Sequence, residues 1–221
     1  DFAWRIVVLN NGSTDDTLER ACRIAESCRE VGVLHLPEKG RGRALRHAFQ
    51  QSDADVRMYM DIDLSTSLDA VLPLVRAITE EGYDLAVGTR LHRDAAVARS
   101  LEREAVSQMY NLLVRFVFDT RFSDAQCGFK AVSAKTARVL VPQVKDDEWF
   151  FDTELLLLAE RNGYRIKDVP VVWVEDPDSR VNVGRTALQD VRGMARLKFG
   201  GIPRIIAAEC GREGRTRAFG S

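Results

Sequence analysis

The sequence predicts an α/β protein: a mostly parallel β-sheet flanked by helices, followed by a C-terminal amphipathic helix. Two observations carry this. Short apolar runs alternate with stretches of helical periodicity through the first half of the chain, as β-α-β units do. Several of those runs end in polar clusters, at the carboxyl ends of strands where open sheets bind ligands.

The first run, residues 4–9, ends in Asn10-Asn11-Gly12-Ser13. Asn-Gly suits a tight turn, and Ser13 or Thr14 followed by acidic residues suits a helix start. A second strand over 31–36 enters a basic loop, Glu38-Lys39-Gly40-Arg41-Gly42-Arg43. The next helix has Ala44, Leu45, Ala48 and Phe49 on its apolar face. The strand 56–60 runs into Asp61-Ile62-Asp63, a helix follows over 68–81, and the strand 84–88 ends in Gly88-Thr89-Arg90. In the second half, a helix over 102–118 presents Val106, Met109, Tyr110, Leu113, Val114 and Val117 as its core face. The loop 124–130 leads into a short strand, and a helix opens near Trp149 with residues 155–159 buried behind it. A single strand over 166–174 crosses Pro170, which marks an edge or bulge. Last comes a helix over 186–199, then a Gly- and Arg-rich tail.

At 221 residues the chain can bury one sizeable core. We read one domain over 1–183, with a basic amphipathic helix and tail over 184–221. A net charge of −1 gives no reason to expect nucleic acid as a partner. The four cysteines are scattered, without Cys-x-x-Cys spacing. That argues against a zinc ribbon or disulfide framework and points to reduced thiols in the cytoplasm. No stretch reaches the roughly 18–20 apolar residues of a membrane span. The N-terminus carries no signal peptide pattern and enters a core strand at once, as if sequence upstream were cut away.

Asp61-Ile62-Asp63 is the focus of the candidate chemistry. Alternation along an extended backbone points both carboxylates the same way. Two such charges call for a shared cation, and hard oxygen ligands suit Mg²⁺ or Mn²⁺ bridging to phosphates. Taken alone, the same residues also suit a polar turn closing a strand.

The order of motifs narrows this. Asn10-Asn11-Gly12-Ser13-Thr14-Asp15, Lys39-Gly40, Asp61-Ile62-Asp63 and Gly88-Thr89-Arg90 are followed by Asp124-Ala125-Gln126-Cys127-Gly128-Phe129-Lys130 and Phe150-Phe151-Asp152-Thr153-Glu154-Leu155. In this order they resemble glycosyltransferase family 2, of GT-A (Rossmann-like) fold, and within it the dolichyl- or polyprenyl-phosphate hexosyltransferases. The resemblance covers about residues 5–183.

It implies transfer of a hexose from a nucleotide-diphosphate sugar (UDP-glucose or GDP-mannose type), with inversion, to a polyprenyl phosphate at the cytoplasmic membrane surface. It places Asp61 and Asp63 on the divalent ion, with Ser65 where relatives supply a third polar ligand. Asn10 and Asn11 fall where the family commonly has acidic residues contacting base or ribose, and Lys39 matches the Lys-Gly loop near the nucleotide. Arg90, Arg103 and Arg180 match phosphate-binding arginines, whose planar fork grips phosphate. Asp124 and Gln126 lie near the reaction centre, and Asp152 opens a helix beside it. A phosphate acceptor is already anionic and needs no base, whereas a hydroxyl acceptor needs a carboxylate, Asp124 first and Asp152 second.

For the acceptor lipid, the 186–199 helix supplies a stripe of Leu188, Val191, Met194, Ala195 and Phe199 beside Arg185, Arg192, Arg196 and Lys198. Three other readings compete: a family 2 transferase acting on a soluble sugar or acid, a phosphohydrolase of haloacid dehalogenase type, and an inactive nucleotide-sugar-binding fragment. The last arises because the family normally begins with another strand and helix. Its strand would sit inside the sheet, so its absence leaves edges unpaired.

Overall fold

The computed structural model describes residues 2–98, 101–174 and 183–205. Its first unit is β1 (Ile6–Asn11), α1 (Thr17–Ser27) and β2 (Val31–Leu36), with β1 and β2 paired in parallel. Asp15, rather than Ser13 or Thr14, accepts the Thr17 N–H at the start of α1, at 3.1 Å. Then come α2 (Arg41–Gln51), β3 (Val56–Met60), α3 (Val71–Thr79) and β4 (Leu85–Thr89). The second half holds β5 (Ala96–Ala98), α4 (Leu101–Phe118), β6 (Phe129–Ser133), α5 (Ala134–Leu140), α6 (Phe151–Arg161), β7 (Ile166–Pro170), β8 (Val172–Val174) and α7 (Val183–Gly200).

The main sheet has the order β3-β6-β4-β7. β3, β4 and β7 run the same way, and β6 lies antiparallel between β3 and β4. This reversed strand matters for the site. It begins at the rim where its neighbours end, so the register Met60↔Phe129 sets the loop 124–128 beside Asp61. β4 is buried along its whole length, as the continuous apolar run Leu85-Ala86-Val87 requires. Among the described residues β1 and β2 form a separate pair, and β3 is an edge of the main sheet.

The single strand expected over 166–174 is two. β7 ends at Pro170, which has no N–H to extend a ladder, and the chain crosses to a small parallel pair of β5 and β8. The main core gathers α6 (Phe151, Leu155 to Leu158), Leu45 and Phe49 of α2, and Met194 and Leu197 of α7. A second cluster packs Leu74 and Ala77 of α3 on Ala86, Phe129 and Ala131 of the sheet.

Two helices orient differently from expectation. On α4, Ser107, Asn111 and Val114 are buried, whereas Val106, Met109 and Leu113, expected inside, are exposed with Leu112 and Phe116. The polar stripe turns inward because it has partners there: Asn111 Oδ1 accepts the Ala125 N–H at 2.8 Å, and Arg90 reaches Ser107 Oγ at 3.4 Å. On α7 the expected stripe divides, with Met194 buried and Leu188, Val191 and Phe199 exposed. Arg196, expected on the charged outer face, instead forks onto buried Glu154 at 2.8 and 2.7 Å. The helix packs this closely because Gly193 lies flat against the Phe150 ring, where a Cβ would collide with ring atoms. Phe150 is completely buried and has nowhere to retreat. Gly193→Val is therefore expected to lower stability by about 2 kcal/mol in urea unfolding, the overpacking cost outweighing any helix-propensity gain of under ~1 kcal/mol.

Candidate active site

At the end of β3 the strand's alternation carries Tyr59 and Asp61 to one side, and both meet Arg41 at the start of α2. Arg41 donates to Asp61 Oδ1 through Nη2 at 2.9 Å and Nε at 3.3 Å, and to Asp152 Oδ2 through Nη1. Its guanidinium lies 5.5 Å from the Tyr59 ring centroid and 5.2 Å from that of Trp149. Asp152, in the first turn of α6, is held on its other oxygen by the Tyr59 hydroxyl and by Lys130 Nζ at 2.9 Å. Lys130 is completely buried in β6, and Asp152 nearly so. Burial by itself would raise the Asp152 pKa, but Arg41 and Lys130 bring it below the ordinary carboxylate value. Burial and the Asp152 charge together push the Tyr59 hydroxyl well above its usual value, so it stays a donor.

The backbone does not run on extended through Asp61 and Asp63. It turns, with Leu64 at φ +54° and the Asp63 carboxylate accepting the Ser65 N–H at 3.0 Å. Among the described residues, Ser65 Oγ is buried without a hydrogen-bond partner. A Cβ on Gly128 would run into the Asp61 carboxylate, so only glycine admits the loop this close. Among the described residues, no three Cys, His, Asp or Glu side chains are grouped to hold an ion by themselves. Two carboxylates and an orphaned hydroxyl do fit Mg²⁺ or Mn²⁺ of the kind that takes its remaining ligands from phosphates and water.

The second anchor is Asp124, completely buried. It accepts a two-point grip from Arg90 (2.8 and 2.9 Å) and the N–H groups of Arg90, Gln126 and Cys127, each at 3.1 Å. Burial would raise its pKa, and Arg90 more than offsets this, so Asp124 is an ionised loop clamp with its oxygens engaged. This corrects two expectations. Asp124 is poorly disposed to take a proton, and Arg90, largely buried and lying 5.6 Å from the Trp173 ring centroid, is committed to Asp124 instead of facing outward for a phosphate.

The other expected residues are dispersed. Asn10, at the end of β1, is buried, with Oδ1 accepting from His35 at 2.8 Å; among the described residues its Nδ2 has no partner, nor has Asn11 Oδ1. Lys39 is exposed, and Arg41, two residues on, is the loop cation that meets the carboxylates. Arg103 is exposed near the start of α4. Arg180 lies outside the described residues. Gln126 points to α7, donating to Asp190 Oδ2 at 3.3 Å. Sequence reasoning passed over Arg41, Lys130, Tyr59, Trp149 and Asp190. For Lys130 a signal existed: a lysine within a buried strand requires a carboxylate partner.

The family description "Glycosyl transferase family 2" matches residues 1–140. The chain is 36% identical over 193 residues to Glycosyltransferase AglD of Haloferax volcanii, covering 87% of this chain and 30% of that protein. It is 30% identical over 190 residues to the dolichyl-phosphate beta-glucosyltransferase ALG5C of Trichomonas vaginalis, covering 83% and 56%. It thus spans less than two thirds of these relatives. The fold matches glucosyl-3-phosphoglycerate synthase from Mycobacterium tuberculosis, solved with Mn²⁺, UDP-glucose and phosphoglyceric acid, at a TM-score of 0.63 and 18% identity, over 88% of this chain and 68% of that one.

Asp190 gives this site a pH signature. It is almost fully buried; burial first, then the charges of Asp146 and Asp152, raise its carboxyl to about 7 despite the Gln126 hydrogen bond. A folded value above the unfolded one favours the protonated form, so its stabilisation is complete below about pH 4 and lost as pH rises through 7. Urea unfolding of the native chain should therefore lose stability relative to Asp190→Asn between about pH 4 and pH 7. Parallel pH profiles for the two would overturn this.

Proposed function

The chain belongs to glycosyltransferase family 2, and from that premise we propose that it transfers a hexose from a nucleotide-diphosphate sugar, with inversion, to a polyprenyl phosphate at a membrane surface. The observation that carries this reading is the state of the buried carboxylates: Asp124 and Asp152 are each ionised, buried and saturated by cations. The two carboxylates that the sequence put forward as bases are thus poorly placed to deprotonate a hydroxyl acceptor, whereas a phosphate acceptor, with a second pKa of about 6, arrives already anionic.

In this mechanism Asp61, Asp63 and Ser65 would hold Mg²⁺ or Mn²⁺, which supplies charge to the departing diphosphate. Asn10 and Asn11 would use their unpartnered amide atoms on the base or ribose. Arg90 and Asp124 hold the loop 124–128, which carries Gly128 against Asp61, and in this mechanism positioning would replace proton transfer as the main contribution. Arg103 and Arg180 are the candidates for the acceptor phosphate, and the enzyme would work from the cytoplasmic side. Names of relatives such as dolichyl-phosphate beta-glucosyltransferase support a lipid phosphate acceptor.

The exposed faces of α4 and α7 support a membrane surface as its source. Met109, Leu112 and Phe116 of α4 and Leu188, Val191 and Phe199 of α7 are exposed, with Arg115, Arg192 and Lys198 exposed among them. No helix among the described residues is long and apolar enough to cross a membrane, so contact through these faces would be interfacial.

Three measurements check this reading. Calorimetric titration with UDP and GDP, each with Mn²⁺, should give metal-dependent heat with one nucleotide that Asp63→Ala abolishes; no heat with either favours an inert fragment. An assay offering UDP-glucose and GDP-mannose should show transfer to polyprenyl phosphate, and transfer only to soluble sugars or acids would overturn the acceptor. In liposome flotation, anionic vesicles should carry the native chain upward, and the double substitution Met109→Glu, Phe116→Glu should leave most of it below. Equal flotation of the two would remove α4 from the membrane contact.

A further inference from the structure

Arg41 is a cation already seated on Asp61, the carboxylate that the metal reading also requires. It is mostly buried, it bridges Asp61 and Asp152, and its guanidinium packs near Tyr59 and Trp149. Arginine does not shed its charge to relieve crowding. A divalent ion arriving alone on Asp61 would therefore sit within a carboxylate's width of a held positive charge, inside a partly desolvated rim where charges interact strongly. A nucleoside diphosphate would reverse this balance. Its oxygens would give the ion further ligands and the guanidinium fork an alternative acceptor.

Asp152 does not depend on Arg41 alone. Lys130 and the Tyr59 hydroxyl hold its other oxygen, so Arg41 can leave without stranding a buried charge. The two carboxylates bridged by Arg41 thus differ among the described residues: Asp152 has a second cation, and Asp61, the more exposed of the two, is paired with Arg41 alone. Arg41 is a captive counter-ion for Asp61.

Building on the metal–diphosphate reading above, we propose that Arg41 occupies Asp61 at rest and makes metal binding conditional on the nucleoside diphosphate, so that ion and nucleotide bind with positive coupling enforced by this side chain. Arg41 is on this view a positioning residue that sets the order of assembly. The coupling is reciprocal, the ion strengthening the nucleotide by the factor that the nucleotide strengthens the ion.

The test is Mn²⁺ binding, followed by the electron paramagnetic resonance of the free ion, with and without UDP or GDP. The native chain should bind Mn²⁺ at least about tenfold more tightly with its nucleotide than without. Arg41→Gln should bind Mn²⁺ alone at least about tenfold more tightly than the native chain, and its coupling factor should shrink accordingly. Arg41→Lys keeps a compact charge but loses the fork that bridges Asp61 and Asp152, so its affinity for Mn²⁺ alone should fall between those of the native chain and Arg41→Gln. Arg41→Met, which keeps length and contact with the two rings, is measured alongside so that misfolding of one variant does not remove the test. Unchanged Mn²⁺ affinity and coupling in folded Arg41→Gln or Arg41→Met overturn the inference while leaving the metal–diphosphate reading intact. Absence of metal-dependent nucleotide binding in the native chain overturns both.

Discussion

A lysine buried in the middle of a sheet is tolerable only if a carboxylate meets it. Lys130 in β6 has that partner in Asp152, and much of the rim follows from this pair. It ties the start of α6 to the sheet. It draws in the Tyr59 hydroxyl from β3 and Arg41 from α2, and through Arg41 it reaches Asp61. Four separate elements are thereby joined at one point by complementary charge. The same α6 turn supplies Glu154, whose two-point contact with Arg196 seats α7. The helix that begins at the site also organises the far side of the core.

Saturation of the buried carboxylates shapes the chemistry this rim can support. Asp124 and Asp152 each hold pKa values below the usual range because nearby cations outweigh burial. Groups so placed stabilise architecture and local charge, and they accept protons poorly. Asp61 and Asp63 lie nearer the surface, beside the unpartnered Ser65 hydroxyl, and suit an ion shared with a ligand. Buried carboxylates that build and exposed carboxylates that bind are a division that suits transfer to an acceptor already carrying its negative charge.

The helices over the site turn part of their polar face inward, and the reason is local. Ser107, Asn111 and Asp190 point inward because the loop 124–127 presents the N–H of Ala125, the Gln126 amide and the Arg90–Asp124 pair for them to meet. Val114, Met194 and Leu197 still pack into the core, while Met109, Leu112, Phe116, Leu188, Val191 and Phe199 are left outward. The surface that results joins a polar interior to an apolar exterior across one layer of helix, an arrangement matched to a ligand with a charged head and a hydrocarbon tail.

The sequence by itself determined the alternation of strands and helices, the polar clusters at strand ends, and the candidate ion ligands Asp61 and Asp63, because these depend on periodicity and on neighbours a few residues apart. Tertiary structure alone decided the rest. That Arg41 and not Lys39 meets the carboxylates depends on how α2 lies against α6, across 111 residues of chain. The commitment of Arg90 to Asp124 spans 34 residues, and the inward face of α4 was set by which buried donors needed acceptors. The division at Pro170 was half legible, since proline announces a break in a ladder but not the sheet that the chain joins next. Charge pairing and burial are properties of three-dimensional neighbours, and a one-dimensional pattern records the residues without recording whom they meet.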